Sequence, residues 1–230
     1  MRECTVCGAQ NDDLAVVCPA CRSYLQAKVD TLDLFSTLWG VVESPGATLR
    51  RIVLSRHKNY VIVLGCLAGM AMLYGVLWYR NMGPWFANIA TLLGTGLLVG
   101  PPFGIAFLAI ASVTALLIGR MLGGHGSFRN VVAVLAYALV PTVFSLFFVF
   151  PAEIALFGIY FFGNNPPPAV INRLAYLFLV GLDGVAVLWS CLLLAAGCRV
   201  SLGLARMRAY VVSFLLVALA GAGVVALRVV

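Results

Sequence analysis

The chain has 230 residues and a mass of 24.5 kDa, and 63% of its residues are hydrophobic, where a soluble domain carries about 45–50%. Only 10% are charged and the mean hydropathy is +1.04, which excludes an ordinary globular enzyme, a disordered tail and a disulfide-rich secreted module. The net charge of +7 would point to nucleic acid in a soluble chain; in lipid, the positions of the basic residues matter more than their sum.

Four of the seven cysteines lie within the first 21 residues, as CTVC from Cys4 to Cys7 and CPAC from Cys18 to Cys21. Two CxxC pairs separated by a short linker match a structural Zn2+ site, because each tight turn offers two sulfurs and the linker folds back to complete a tetrahedron. One zinc ion held by Cys4, Cys7, Cys18 and Cys21 is therefore expected, in a ribbon spanning 1–27. Gly8, directly after Cys7, suits the turn such a knuckle requires. So small a segment has almost no core, and metal binding would supply most of its folding free energy, about 10 kcal/mol in comparable peptides. The linker GAQNDDLAVV holds Asp12 and Asp13 and no Lys or Arg, which argues against phosphate and hence against a nucleic-acid partner. A stable cap or a protein-contact knob is the plainer role. Cys66, Cys191 and Cys198 lie in apolar runs and read as small buried side chains.

Residues 28–59 read as two amphipathic juxtamembrane helices. Asp30 is the expected N-cap of the first, with Leu32, Phe35, Leu38, Trp39 and Val42 recurring at helical spacing. The second starts at Ser44-Pro45, Ser capping and Pro in the first turn. Two placements fit equally well: docked on the span bundle, or along the cytoplasmic leaflet with Arg50, Arg51, Arg56 and Lys58 at anionic head groups.

Met1 to Cys7 offers no apolar signal region, so the N-terminus is expected to stay on the side where it is made. Residues 60–230 then carry apolar runs at about 60–79, 89–118, 131–150, 174–198 and 209–227. The second run is interrupted by Pro101-Pro102 and reads either as one kinked helix or as two spans. Counting basic residues separates the two. One helix gives five spans, with Arg50, Arg51, Arg56, Lys58, Arg120, Arg129, Arg199, Arg206 and Arg208 on the ribbon side and Arg80, Arg173 and Arg228 opposite; two spans divide the same charges evenly. The expected fold is therefore an all-α integral membrane protein of five transmembrane helices, preceded by a small zinc ribbon and juxtamembrane helices. Its N-terminus is expected in the cytoplasm, where thiolates stay reduced, and its C-terminus on the opposite side.

Asp183, in VGLDGVAVLW, is the one acidic residue well inside a proposed span. An ionised carboxylate there costs at least about 2.5–3.5 kcal/mol, so it is expected to be protonated, paired or facing a wet cavity, unless the helix places it at the far interface. PAEIALFGIYFFGNNPPP is too short to cross and is expected as an interfacial helix with Glu153 in water. GCLAG at 65–69 and GLLVG at 96–100 have the small-residue spacing of close helix packing; they fit internal packing better than the seam of a homo-oligomer, which remains open. An enzyme is not expected. His57 and His125 both lie near the interface, GGHGSF at 123–128 reads as a tight loop, and no span holds a pair of carboxylates.

ESPGATLRRI before the first span, LGGHGSFRNVVAVLAYALVP joining the second and third, and SLGLARMRAYVV before the last are similar to the Yip domain family of five-span, Ypt-interacting membrane proteins. The resemblance runs over roughly residues 34 to 225 and is most specific at Ser127-Phe128, Tyr137 and Pro141. It implies an integral membrane protein without catalytic residues. Eukaryotic members associate with Rab-type GTPases and with one another in vesicle traffic. The ribbon resembles the prokaryotic branch, which implies a bacterial cytoplasmic membrane, and the N-terminal tail matches no acidic GTPase-contact motif. Two functions are expected from this. The first is a non-enzymatic adaptor that touches membrane lipid and recruits a cytoplasmic protein partner through its ribbon and juxtamembrane helices. The alternative is a small transporter or channel in which Asp183, with Thr114 or Ser145, lines a path.

Overall fold

The computed structural model describes residues 2–12, 15–25 and 31–226. Asp13, Lys28, Asp30, Leu227 and Arg228 lie outside the described residues. The N-terminal segment forms a two-stranded antiparallel ribbon, β1 (Arg2–Glu3) against β2 (Gln10–Asn11), with Arg2 opposite Asn11. A second turn is closed by an isolated bridge between Val17 and Tyr24.

Helix α1 (Leu34–Glu43) is capped by Asp33, whose carboxylate accepts a 2.8 Å hydrogen bond from the Ser36 N–H. That bond holds the Asp33 carboxyl below its ordinary pKa. The apolar face of the helix is divided. Leu32, Thr37 and Val41 are buried, whereas Phe35 and Trp39 are 81% and 69% exposed, with Val42 beside them. Helix α2 (Pro45–Leu54) begins with Pro45 in its first turn and Ser44 at the cap position, although the Ser44 side chain makes no capping bond. Its Leu49, Ile52 and Val53 are buried in the bundle core. Of the two placements expected of the juxtamembrane stretch, the docked one is seen: it packs through α2 and one side of α1, and shows an aromatic face outward.

Among the described residues, five stretches are long and apolar enough to cross a membrane. The first is α3 (Val61–Tyr79). The second, α4 (Ile89–Met121), runs unbroken through Pro101-Pro102, so the single-helix reading holds. At about 1.5 Å per residue it reaches roughly 50 Å, well beyond a hydrocarbon core of about 30 Å. Helices α3 and α4 touch through glycines: a Cβ at Gly69 would stand 2.2 Å from the Gly100 carbonyl oxygen and 2.4 Å from the Gly104 Cα. The glycine spacing therefore serves packing within the chain.

The third crossing is assembled from pieces: α5 (Phe128–Ala138), α6 (Val140–Phe148), α7 (Phe150–Phe157) and a 3-10 turn over Gly158–Phe162. Each break stands two residues before a proline, Pro141 or Pro151, which lacks an N–H and clashes with the preceding turn. The segment after residue 150, expected as an interfacial helix, folds back onto the bundle. Phe157, Phe161 and Phe162 are buried, and they pack with Tyr74 and Leu92 into an aromatic core. Burial of three phenylalanines holds the segment against the bundle.

A short helix, α8 (Pro168–Ile171), leads into the fourth span, α9 (Arg173–Leu202), and α10 (Arg206–Ala226) is the fifth. Cys198 is buried in the second, aliphatic core, which joins α2, α5 and α9; Cys66 and Cys191 are half-buried.

Candidate functional site

The two CxxC turns are built alike. Gly8 N–H donates to the Cys4 carbonyl at 2.9 Å, and Arg22 N–H donates to the Cys18 carbonyl at 2.8 Å. Cys4 N–H reaches Ala9 O and Cys18 N–H reaches Ser23 O, both at 2.9 Å. In each turn the residue after the second cysteine takes a left-handed backbone, Gly8 at φ 71° and Arg22 at φ 58°. Glycine does so freely, whereas arginine holds the conformation against a steric cost. The consequence is that Cys4, Cys7, Cys18 and Cys21 present their sulfurs within 4.8 Å of one another.

Cys4 Sγ lies 3.6 Å from Cys21 Sγ, and Cys7 Sγ lies 3.6 Å from Cys18 Sγ. Four sulfurs bound at about 2.3 Å to one tetrahedral ion stand about 3.8 Å apart, so the four thiols fit a single metal ion. The local polarity assists. The Ser23 hydroxyl, 3.2 Å from Cys4 Sγ, with the backbone N–H groups of Val6 and Cys7, pulls the Cys4 thiol down to about 6. The N–H of Cys21 lowers Cys18 in the same direction. Both effects favour the thiolate, the form that ligates metal, whereas the three neighbouring sulfurs push the Cys7 thiol up to about 12.

Of the four basic residues expected at the lipid surface, Arg51 and Arg56 are exposed, while Arg50 and Lys58 are half-buried. Lys58 Nζ donates to the carbonyls of Ile52 and Val53, the latter at 2.7 Å, and so closes the C-terminal end of α2. Burial, and then the charge of Arg129, lowers its pKa to about 8. Arg129 in turn donates to the Arg56 carbonyl, and Tyr137 to the Asn59 carbonyl at 3.0 Å, so the third span is tied to the same loop.

Asp183 lies about three turns into α9 and accepts a hydrogen bond from the Ser145 hydroxyl of α6. Thr114 takes no part; its hydroxyl donates at 2.9 Å to Ile110 of its own helix. The expectation of a solvated Glu153 is overturned, since it is 1% exposed, faces Asp183, and shares with it a cavity of about 390 Å³. Glu153 Oε1 has no hydrogen-bond partner among the described residues. The cavity lies among α3, α6, α7 and α9, with Tyr74, Trp78 and Phe150 in its walls. Two carboxyls held together in so apolar a place repel unless a proton or a cation lies between them. Sequence reading missed this pair because thirty positions separate its members and Glu153 arrives only through the Pro151 break. The available signal was an apolar, phenylalanine-rich segment too short to cross and too greasy to stay wet.

A family model described as the Yip1 domain matches residues 39–227, which takes in α2 and all five crossings. No curated protein and no solved structure matches the chain.

Proposed function

Because the chain belongs to the Yip1 domain family, we propose that it works without catalysis as a multi-pass membrane adaptor, its five spans anchoring a cytoplasmic head that recruits a protein partner. The head is the ribbon of residues 1–27, folded around one zinc ion on Cys4, Cys7, Cys18 and Cys21. Zinc is the fitting ion because four thiolates in a tetrahedral set select it over the harder divalent cations. The single observation that most supports a head held at the membrane surface is the outward aromatic face of α1. Phe35 and Trp39 stand exposed between the ribbon and the first span, and Arg51 and Arg56 are exposed nearby in sequence. Aromatic and basic side chains together suit the headgroup layer of a leaflet, which would hold the ribbon close to the membrane surface.

The head and the face have separable roles in this reading: the ribbon binds the partner, and α1 sets its height above the lipid. Quantitative cross-linking in intact membranes tests the division. Full-length chain, chain lacking residues 1–27 and a Trp39→Ser variant are compared at equal abundance. The truncated chain is expected to lose the cross-linked partners and Trp39→Ser to retain them at reduced yield. Retention of every partner by the truncated chain would rule out the ribbon as the recruiting element.

A further inference from the structure

We propose that the cavity among α3, α6, α7 and α9 is a binding site for an alkylammonium group, with Glu153 and Asp183 as its counter-ions. The site goes beyond the adaptor reading and does not depend on it. Glu153 carries the inference. It is 1% exposed, lines the cavity, and leaves Oε1 without a partner among the described residues. A buried carboxyl oxygen without a donor is costly, and a ligand N–H would satisfy it.

Size and walls identify the class of cation. At about 390 Å³ the space is that of a small-molecule pocket and far exceeds a dehydrated metal ion. Hard metal ions also need about six oxygens at 2.0–2.6 Å. The Thr142 hydroxyl is turned to the Leu139 carbonyl at 2.7 Å, so the two carboxyls and Ser145 are the main oxygen donors left. A primary ammonium asks less, having three N–H donors on one compact charge. One can meet Glu153 Oε1 and another Asp183, while the alkyl part lies on aromatic rings. Tyr74 and Phe150 stack at 4.4 Å and Trp78 stands on the same helix face one turn away, a surface that attracts organic cations.

The source of the ammonium is a lipid headgroup or a free amine, and the test separates them. Full-length protein in phosphatidylglycerol nanodiscs is titrated with ethylammonium chloride against sodium chloride at matched ionic strength, followed by calorimetry. Saturable binding of ethylammonium without competition from sodium is expected. Glu153→Gln and Asp183→Asn should each weaken it about tenfold or more. Gly75→Leu and Gly184→Leu provide variants that keep the carboxyls: both positions line the cavity, and a Cβ at either meets nothing within 4 Å. Each should abolish binding with the melting temperature preserved. In nanodiscs containing phosphatidylethanolamine, weaker apparent binding of ethylammonium identifies the headgroup as occupant, and unchanged binding identifies the free amine; both outcomes support an ammonium site. Absence of saturable binding, equal competition by sodium, or full binding in both leucine variants would overturn it.

Discussion

Single residues decide more here than their apolar neighbours suggest. Lys58 is one: its ammonium is half-buried against the end of α2 and lies near Arg129, which lowers its pKa to about 8. Unfolded, the same group titrates near its ordinary value of about 10.4. Between those two values the unfolded chain holds more protons than the folded one, so stability rises with pH across that window. Thermal unfolding in detergent from pH 7.5 to 10.5 should show the rise in the wild type and lose it in Lys58→Met; identical pH profiles would contradict the assignment. Arg22 illustrates a different lesson. CTVCG announces a left-handed turn through its glycine, whereas CPACR conceals the same backbone behind an arginine. The second knuckle was legible from its cysteines and not from its turn residue.

At the scale of elements, hydropathy and helical spacing locate all five crossings, and the glycines at 65–69 and 96–100 locate the α3–α4 contact. Gly69 is one of its closest approaches, since any side chain there strikes the Gly100 carbonyl and the Gly104 backbone. Gly69→Leu is expected to cost about 3 kcal/mol or more, because rigid backbone, not a movable side chain, occupies the space. A fall in the melting temperature or loss of monodispersity in detergent would register it, and wild-type behaviour would show that the helices part freely. Two elements escaped the sequence. The direction of the α1 face was not legible, because the pattern of Phe35, Trp39 and Val42 is the same whether it meets protein or lipid. The inward turn of α7 was not legible either, because Pro151 reads equally as the end of a span and as the first turn of another helix.

For the whole molecule, composition alone placed the chain in lipid, and the continuous α4 keeps the number of crossings at five. With five crossings the two ends of the chain would lie on opposite sides, and we propose that the ribbon end is the cytoplasmic one. What composition could not supply is the pairing of Glu153 with Asp183, a property of the assembled bundle and of neither helix alone. The proposed molecule joins a metal-dependent head on one side of the membrane to a five-span body. One measurement addresses both parts: mass-spectrometric counting of a membrane-impermeant maleimide on Cys4, Cys7, Cys18 and Cys21, in inside-out and right-side-out vesicles, with and without a zinc chelator. Labelling is expected in inside-out vesicles alone, and there only after chelation. Labelling in right-side-out vesicles, or equal labelling without the chelator, would contradict it.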